Sequence, residues 1–131
     1  MNLDGPKVLV VDDNQDIREL IRHILDADGF HVFAATNAME ALAILNSNAI
    51  ELVLLDVMMP GRSGLELLAD IRNGSNKEIH EIPIVMVTAK GSIEDVDKAI
   101  ALGASSYIVK PFRGSVVCRK VRSILKMNQE N

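Results

Sequence analysis

The sequence predicts an α/β domain built on a five-stranded parallel sheet. Two observations carry this. Short β-branched apolar runs recur along the chain and are continuous rather than alternating, as strands covered on both faces require. Between them the apolar period changes to that of an amphipathic helix. A regular β-α alternation, five times over, implies right-handed crossovers in one parallel sheet. The 131 residues leave room for one core. The reading is a single domain over residues 1–131 with its core at about 7–126.

The first strand is read in Lys7-Val8-Leu9-Val10-Val11-Asp12, and a weaker second in His31-Val32-Phe33-Ala34-Ala35. The third is Ile50 to Asp56, the fourth Ile82 to Thr88 and the fifth Ser106-Tyr107-Ile108-Val109-Lys110. The first helix repeats Ile17, Leu20, Ile21, Ile24 and Leu25 on one face, and Gly29 can close it with a left-handed cap. Asn37 with Glu40 has capping-box spacing ahead of Ala41, Leu42 and Leu45, and Ser63 with Glu66 repeats it ahead of Leu67, Leu68 and Ile71. Ser92 precedes Val96, Ala99 and Ile100, with Gly103 as the stop. Val117, Val121, Ile124 and Leu125 form the last stripe, which Gly114 and Ser115 predict to start late. Residues 73–78 read as a polar loop, and 127–131 as a short frayed tail.

Composition narrows the function. The chain is 48% apolar and 24% charged, which argues against wholesale disorder. A net charge of −4 argues against generic nucleic-acid binding, which needs a basic surface. The lone Cys118 excludes an internal disulfide framework and Cys-rich zinc sites, and reads as a small core residue. The longest apolar run, Leu52-Val53-Leu54-Leu55, is far short of a membrane span, and residues 1–6 carry no leader pattern. The expectation is a soluble cytoplasmic protein. His23, His31 and His80 have no ligand spacing, and Val57-Met58-Met59 reads as packing.

In an open parallel sheet, ligands bind outside the carboxyl ends of the strands, where strand order reverses. The residues at those ends are Asp12, Asp13, Asp56, Thr88 and Lys110. Taken singly each has a plain reading. Asp12-Asp13 could be charges favoured near a helix N-terminus, and Asp56 a turn residue ahead of Pro60 and Gly61. Taken together, three carboxylates on one rim call for a cation, and Mg²⁺ prefers a few carboxylates plus water and phosphoryl oxygen. Lys110 and Thr88 would complete an anion pocket, and one carboxylate could attack a phosphoryl group held there.

Val10-Val11-Asp12-Asp13-Asn14, Leu54-Leu55-Asp56-Val57-Met58-Met59-Pro60-Gly61, Val87-Thr88-Ala89 and Lys110-Pro111-Phe112 closely resemble a response-regulator receiver domain of the chemotaxis-regulator type. The resemblance runs from about Lys7 to Lys126. It implies a flavodoxin-like three-layer sandwich with strand order 2-1-3-4-5. It implies that Asp56 accepts phosphate from a phosphohistidine on a sensor kinase or histidine phosphotransfer protein. Asp12, Asp13, Asp56 and the backbone carbonyl of Met58 would bind Mg²⁺, and Lys110 and Thr88 would contact phosphoryl oxygens. Thr88 and Tyr107 would be the switch pair, reshaping the face of the fourth helix, fifth strand and fifth helix for a downstream partner. Met58 and Lys90 would rim the pocket and tune loss of the acyl phosphate. A cis peptide is expected at Lys110-Pro111.

Two other functions compete. A haloacid-dehalogenase-like phosphohydrolase also uses an Asp nucleophile with Mg²⁺, but needs Asp-x-Asp after the first strand, where this chain has Asp12-Asp13-Asn14. The chain could instead be one piece of a DNA-binding regulator or hybrid kinase; the lack of a helix-turn-helix or trailing linker weighs against that. The expectation is a self-phosphorylating switch rather than an enzyme, without direct nucleic-acid or membrane contact. A basic stripe adds one local reading. Residues 113–127 hold Arg113, Arg119, Lys120, Arg122 and Lys126 and no acid. Arg119, Arg122 and Lys126, at i, i+3 and i+7, are expected to share one helical face. That face is either solvated or docks an acidic partner or a second copy in a phosphorylation-dependent homodimer.

Overall fold

The computed structural model describes residues 2–59, 63–89 and 93–127. Five strands, β1 (Lys7–Val11), β2 (His31–Ala35), β3 (Leu52–Asp56), β4 (Ile84–Ala89) and β5 (Ser106–Lys110), form one sheet of order β2-β1-β3-β4-β5. Every neighbouring pair is parallel. Helices α1 (Gln15–Ala27), α2 (Ala38–Ser47), α3 (Gly64–Arg72) and α4 (Ile93–Ala101) lie in the four crossovers, and α5 (Gly114–Ile124) follows the last strand. Among the described residues no helix is long and apolar enough to cross a membrane.

The sheet separates two cores, and strand alternation explains them. Val8, Val10, Leu52, Leu54, Val85, Val87 and Ile108 meet Ile21 and Leu25 of α1 and Val117 and Val121 of α5. Leu9, Val11, Val53, Leu55, Ile84 and Met86 meet Ala41 and Leu45 of α2, Leu67, Leu68 and Ile71 of α3, and Ala99 of α4. Odd and even positions point to opposite faces. Because both faces are covered, the strands read as unbroken apolar runs. All five residues of β3 are buried. Each of its large apolar side chains gains roughly 1.5–3 kcal/mol by leaving water. The strand is thus anchored from both layers, and Asp56 at its end has little freedom to move.

The terminators follow local rules. Gly29 and Gly103 adopt φ of 95° and 104°, the left-handed region expected of them after α1 and α4. Ser63 and Glu66 close a reciprocal capping box on α3. The Asn37–Glu40 box is only half formed. Asn37 accepts from the Glu40 N–H at 2.9 Å, but the Glu40 carboxylate accepts from the N–H and hydroxyl of Thr36, each at 2.7 Å. Those two bonds lower the Glu40 pKa.

Other expectations need correction. The loop at 73–78 runs into a helical turn, Lys77–His80, because the Asn76 side chain accepts from the Glu78 N–H at 3.0 Å. α5 starts at Gly114, not late: Gly114 occupies the first turn, where its low propensity matters least and where a Cβ would lie against the Ile24 side chain. The third and fourth strands start two residues later than read, and the first ends at Val11. Ser92 and residues 128–131 of the tail lie outside the described residues.

The basic stripe does not hold as drawn. Arg122 Nε donates to Asp28 Oδ2 at 2.8 Å, its second arm reaches the Asp28 carbonyl at 3.1 Å, and its guanidinium lies over the Phe30 ring. Arg122 therefore ties α5 to the end of α1. Lys126 lies beyond the end of α5, with a φ of 58°, so the helical spacing does not extend to it.

Candidate functional site

Strand order reverses between β1 and β3, and the crevice at their carboxyl ends is where an open sheet of this kind binds ligands. Asp12 and Asp13 follow β1, and Asp56 ends β3. One carboxylate oxygen from each lies within 4.8 Å of the others. Asp12 is 1% exposed, Asp56 5%, and Asp13 faces solvent. Lys110, at the end of β5, reaches across β4 to this group: its Nζ lies 3.4 Å from Asp56 Oδ1 and 3.5 Å from Asp12 Oδ2.

Asp12 is held by its neighbours. Asp12 Oδ1 accepts the Asn14 N–H at 2.9 Å, and Asn14 in turn caps α1 by accepting from the Ile17 N–H. Arg18, one turn into α1, donates to the Asp12 carbonyl at 2.9 Å. Asp12 Oδ2 is buried and accepts no hydrogen bond among the described residues; Lys110 offers it only a longer ionic contact. Burial pushes the Asp56 carboxyl up to about 6, helped by the charge of Asp12 and opposed by Lys110 and the Met58 N–H. Desolvation outweighs the single ammonium here because the Asp12 carboxylate repels the same charge that Lys110 attracts.

The remaining strand-end residue, Thr88, is placed by register. Val87 pairs with Asp56, so Thr88, 2% exposed, lies one residue further along β4. Thr88 pairs with Val109, and Ala89 with Lys110. The Met58 side chain is 70% exposed beside the site, while Val57 and Met59 are buried as packing residues. Tyr107 faces outward on β5 at 41% exposure. The Lys110-Pro111 peptide is cis, as expected. Lys90 lies outside the described residues, as do Pro60 and Gly61. Of the histidines, His31 stacks on Phe33 with ring centroids 4.6 Å apart. Cys118 is only partly buried, and desolvation pushes its thiol up to about 11.

Two positions escaped the sequence reading. Gly64 donates its N–H to the Val57 carbonyl at 3.0 Å, and a Cβ there would collide with the Asp56 carbonyl. Only glycine lets α3 start so near the end of β3. The available signal was a poor helix former directly after the Ser63 cap. Arg18 gave no signal, because its partner is a main-chain carbonyl.

Residues 8–122 match the family described as response regulator receiver domain. The transcriptional regulatory protein CpxR of Klebsiella pneumoniae is 38% identical over 120 residues, covering 92% of this chain and 49% of that protein. The CpxR homolog of Haemophilus influenzae is 41% identical over 122 residues, covering 92% and 50%. The chain thus spans about half the length of the curated relatives it matches. Among solved structures, the receiver domain of NtrX from Brucella abortus is similar with a TM-score of 0.84 and 37% identity, covering 92% of this chain and 99% of that one. The chemotaxis protein CheY4 of Vibrio cholerae gives 0.85 and 32%, covering 92% and 98%. A match that runs from the first strand into the last helix, on a sheet of this order, makes the chain a member of the response regulator receiver domains of two-component signalling.

Proposed function

We propose that this domain accepts a phosphoryl group on Asp56 from a phosphohistidine of a sensor kinase or histidine phosphotransfer protein, in a Mg²⁺-dependent reaction. The observation that carries the reading is a buried carboxylate at the strand-order reversal, faced by Lys110 and two further acids. A carboxylate oxygen of Asp56 attacks phosphorus, the phosphorus–nitrogen bond breaks, and its electron pair stays on the imidazole. The Asp56 carboxyl titrates near 6, so it is mostly ionised, and able to attack, at neutral pH. Lys110 steadies the phosphoryl oxygens, and the Thr88 hydroxyl donates to one of them.

The donor set fits a hard divalent ion. Three carboxylates come together, and the buried Asp12 Oδ2 has no hydrogen bond to lose. Asp12, Asp13, Asp56 and the Met58 carbonyl would hold Mg²⁺. When bound, the ion neutralises phosphoryl charge. Asn14 and Arg18 keep Asp12 in place for it.

The phosphorylated form changes what binds the face of α4, β5 and α5. Support comes from exposed apolar side chains there, Ile100, Leu102, Tyr107, Val109 and Val116. Thr88 and Tyr107 couple the site to that face, and Met58 lies at the pocket rim. The domain works in the cytoplasm as a switch whose only chemistry is its own aspartyl phosphorylation and dephosphorylation. Incubation with a small phosphodonor and Mg²⁺ tests this. One base-labile, acid-stable phosphoryl group is expected, and none on Asp56→Asn. Undiminished labelling of that variant would overturn the assignment.

A further inference from the structure

Lys120 occupies a position that the phosphorylation chemistry does not use. Its Nζ lies 5.7 Å from the centroid of the Tyr107 ring and donates to Ser106 Oγ at 3.1 Å. An ammonium within about 6 Å of an aromatic face is attracted by the ring quadrupole. The hydrogen bond to Ser106 pins that ammonium to the residue next to the tyrosine. Lys120 is itself half-buried on α5, whose Val117 and Val121 pack with Ile108 of β5 in one core. The cation is thus fixed to the same strand and the same helix as the ring it holds. Tyr107 meanwhile has one outward side chain on an edge strand, beside Met86, which is fully buried. An inward turn of the ring would leave the Lys120 ammonium without its aromatic contact.

We propose that Lys120 is a positioning residue that latches Tyr107 outward in the unphosphorylated protein, and so sets how much of the domain adopts the switched conformation before any phosphate arrives. The inference rests on the reading of Tyr107 as part of the switch, and it adds the element that opposes the turn. An exposed cation–ring contact favours one conformer by about two- to five-fold. The latch therefore biases the resting population without locking it.

The chain holds one tyrosine, so tyrosine ring signals report Tyr107 alone. Three-bond scalar couplings about its χ1 give rotamer populations directly. The comparison is unphosphorylated wild type, Lys120→Met and Lys120→Arg, with denaturant unfolding of each as a control. In Lys120→Met the minor rotamer is expected to rise about two- to five-fold, while Lys120→Arg keeps the wild-type couplings, since a guanidinium preserves the cation. Asp56 labelling by a small phosphodonor with Mg²⁺ is expected to be unchanged. Identical couplings in wild type and Lys120→Met would overturn the latch, even if stability changed. Phosphorylated wild type is a separate arm. If its couplings match the unphosphorylated protein, the role of Tyr107 in the switch fails, while the resting-state comparison still decides the latch.

Discussion

Asp56 is held where its charge is unfavourable, and the cost can be measured. The carboxyl rises from 3.8 to about 6, through burial first and Asp12 second, with Lys110 opposing. A raised acid pKa means that the folded state binds more protons than the unfolded chain between those two values. Stability is therefore fully present below about pH 4 and is lost as pH rises through 6. Two pH units at 1.36 kcal/mol each give a cost of about 3 kcal/mol at neutral pH. Asp56→Asn removes that charge while keeping the shape. Lys110 is not stranded, since it retains Asp12 at 3.5 Å. In metal-free buffer at pH 7.5, the variant is expected to be more stable by about 2–3 kcal/mol in urea unfolding, with an unchanged m-value. The gain should shrink steadily below pH 6 and vanish near pH 4. Mg²⁺ should narrow the difference, because it binds the folded wild type. A variant less stable than wild type at pH 7.5, or a difference that stays flat down to pH 4, would refute this account of the site.

Mg²⁺ should raise the thermal midpoint of the wild type, and Asp13→Ala should lose most of that increase; an equal rise in both would remove Asp13 from the metal site. Gly64→Ala is expected to destabilise the fold by about 2 kcal/mol or more and to slow Asp56 labelling, because the new Cβ displaces the end of β3. Wild-type labelling at wild-type stability would show that the loop gives way freely. Arg122 and Asp28 should show a coupling of about 1 kcal/mol in a double-mutant cycle, with Arg122→Glu losing stability whether or not a partner is present. A purely additive cycle would return Arg122 to the solvated stripe.

The β-α order, the left-handed Gly29 and Gly103, the Ser63–Glu66 box and the convergence of Asp12, Asp13, Asp56 and Lys110 were all legible in the sequence. Each depends on residues a few positions apart, or on the rule that strand ends meet at a reversal of sheet order. The half-formed Asn37 box failed at close range, because Thr36 competed for Glu40 with two donors at once. The other differences arise over distance. Arg122 bonds a carboxylate 94 positions away, which no helical spacing can register. Lys120 reaches Ser106 and Tyr107 only because α5 packs back along β5. Gly64 is required by the path of β3, and the elevated Asp56 carboxyl by burial that exists only once both helical layers are in place. Sequence by itself determined which residues arrive at the rim, since periodicity and capping act locally. Only the tertiary structure decided their charge state and their neighbours, because desolvation and long-range contact belong to the assembled layers.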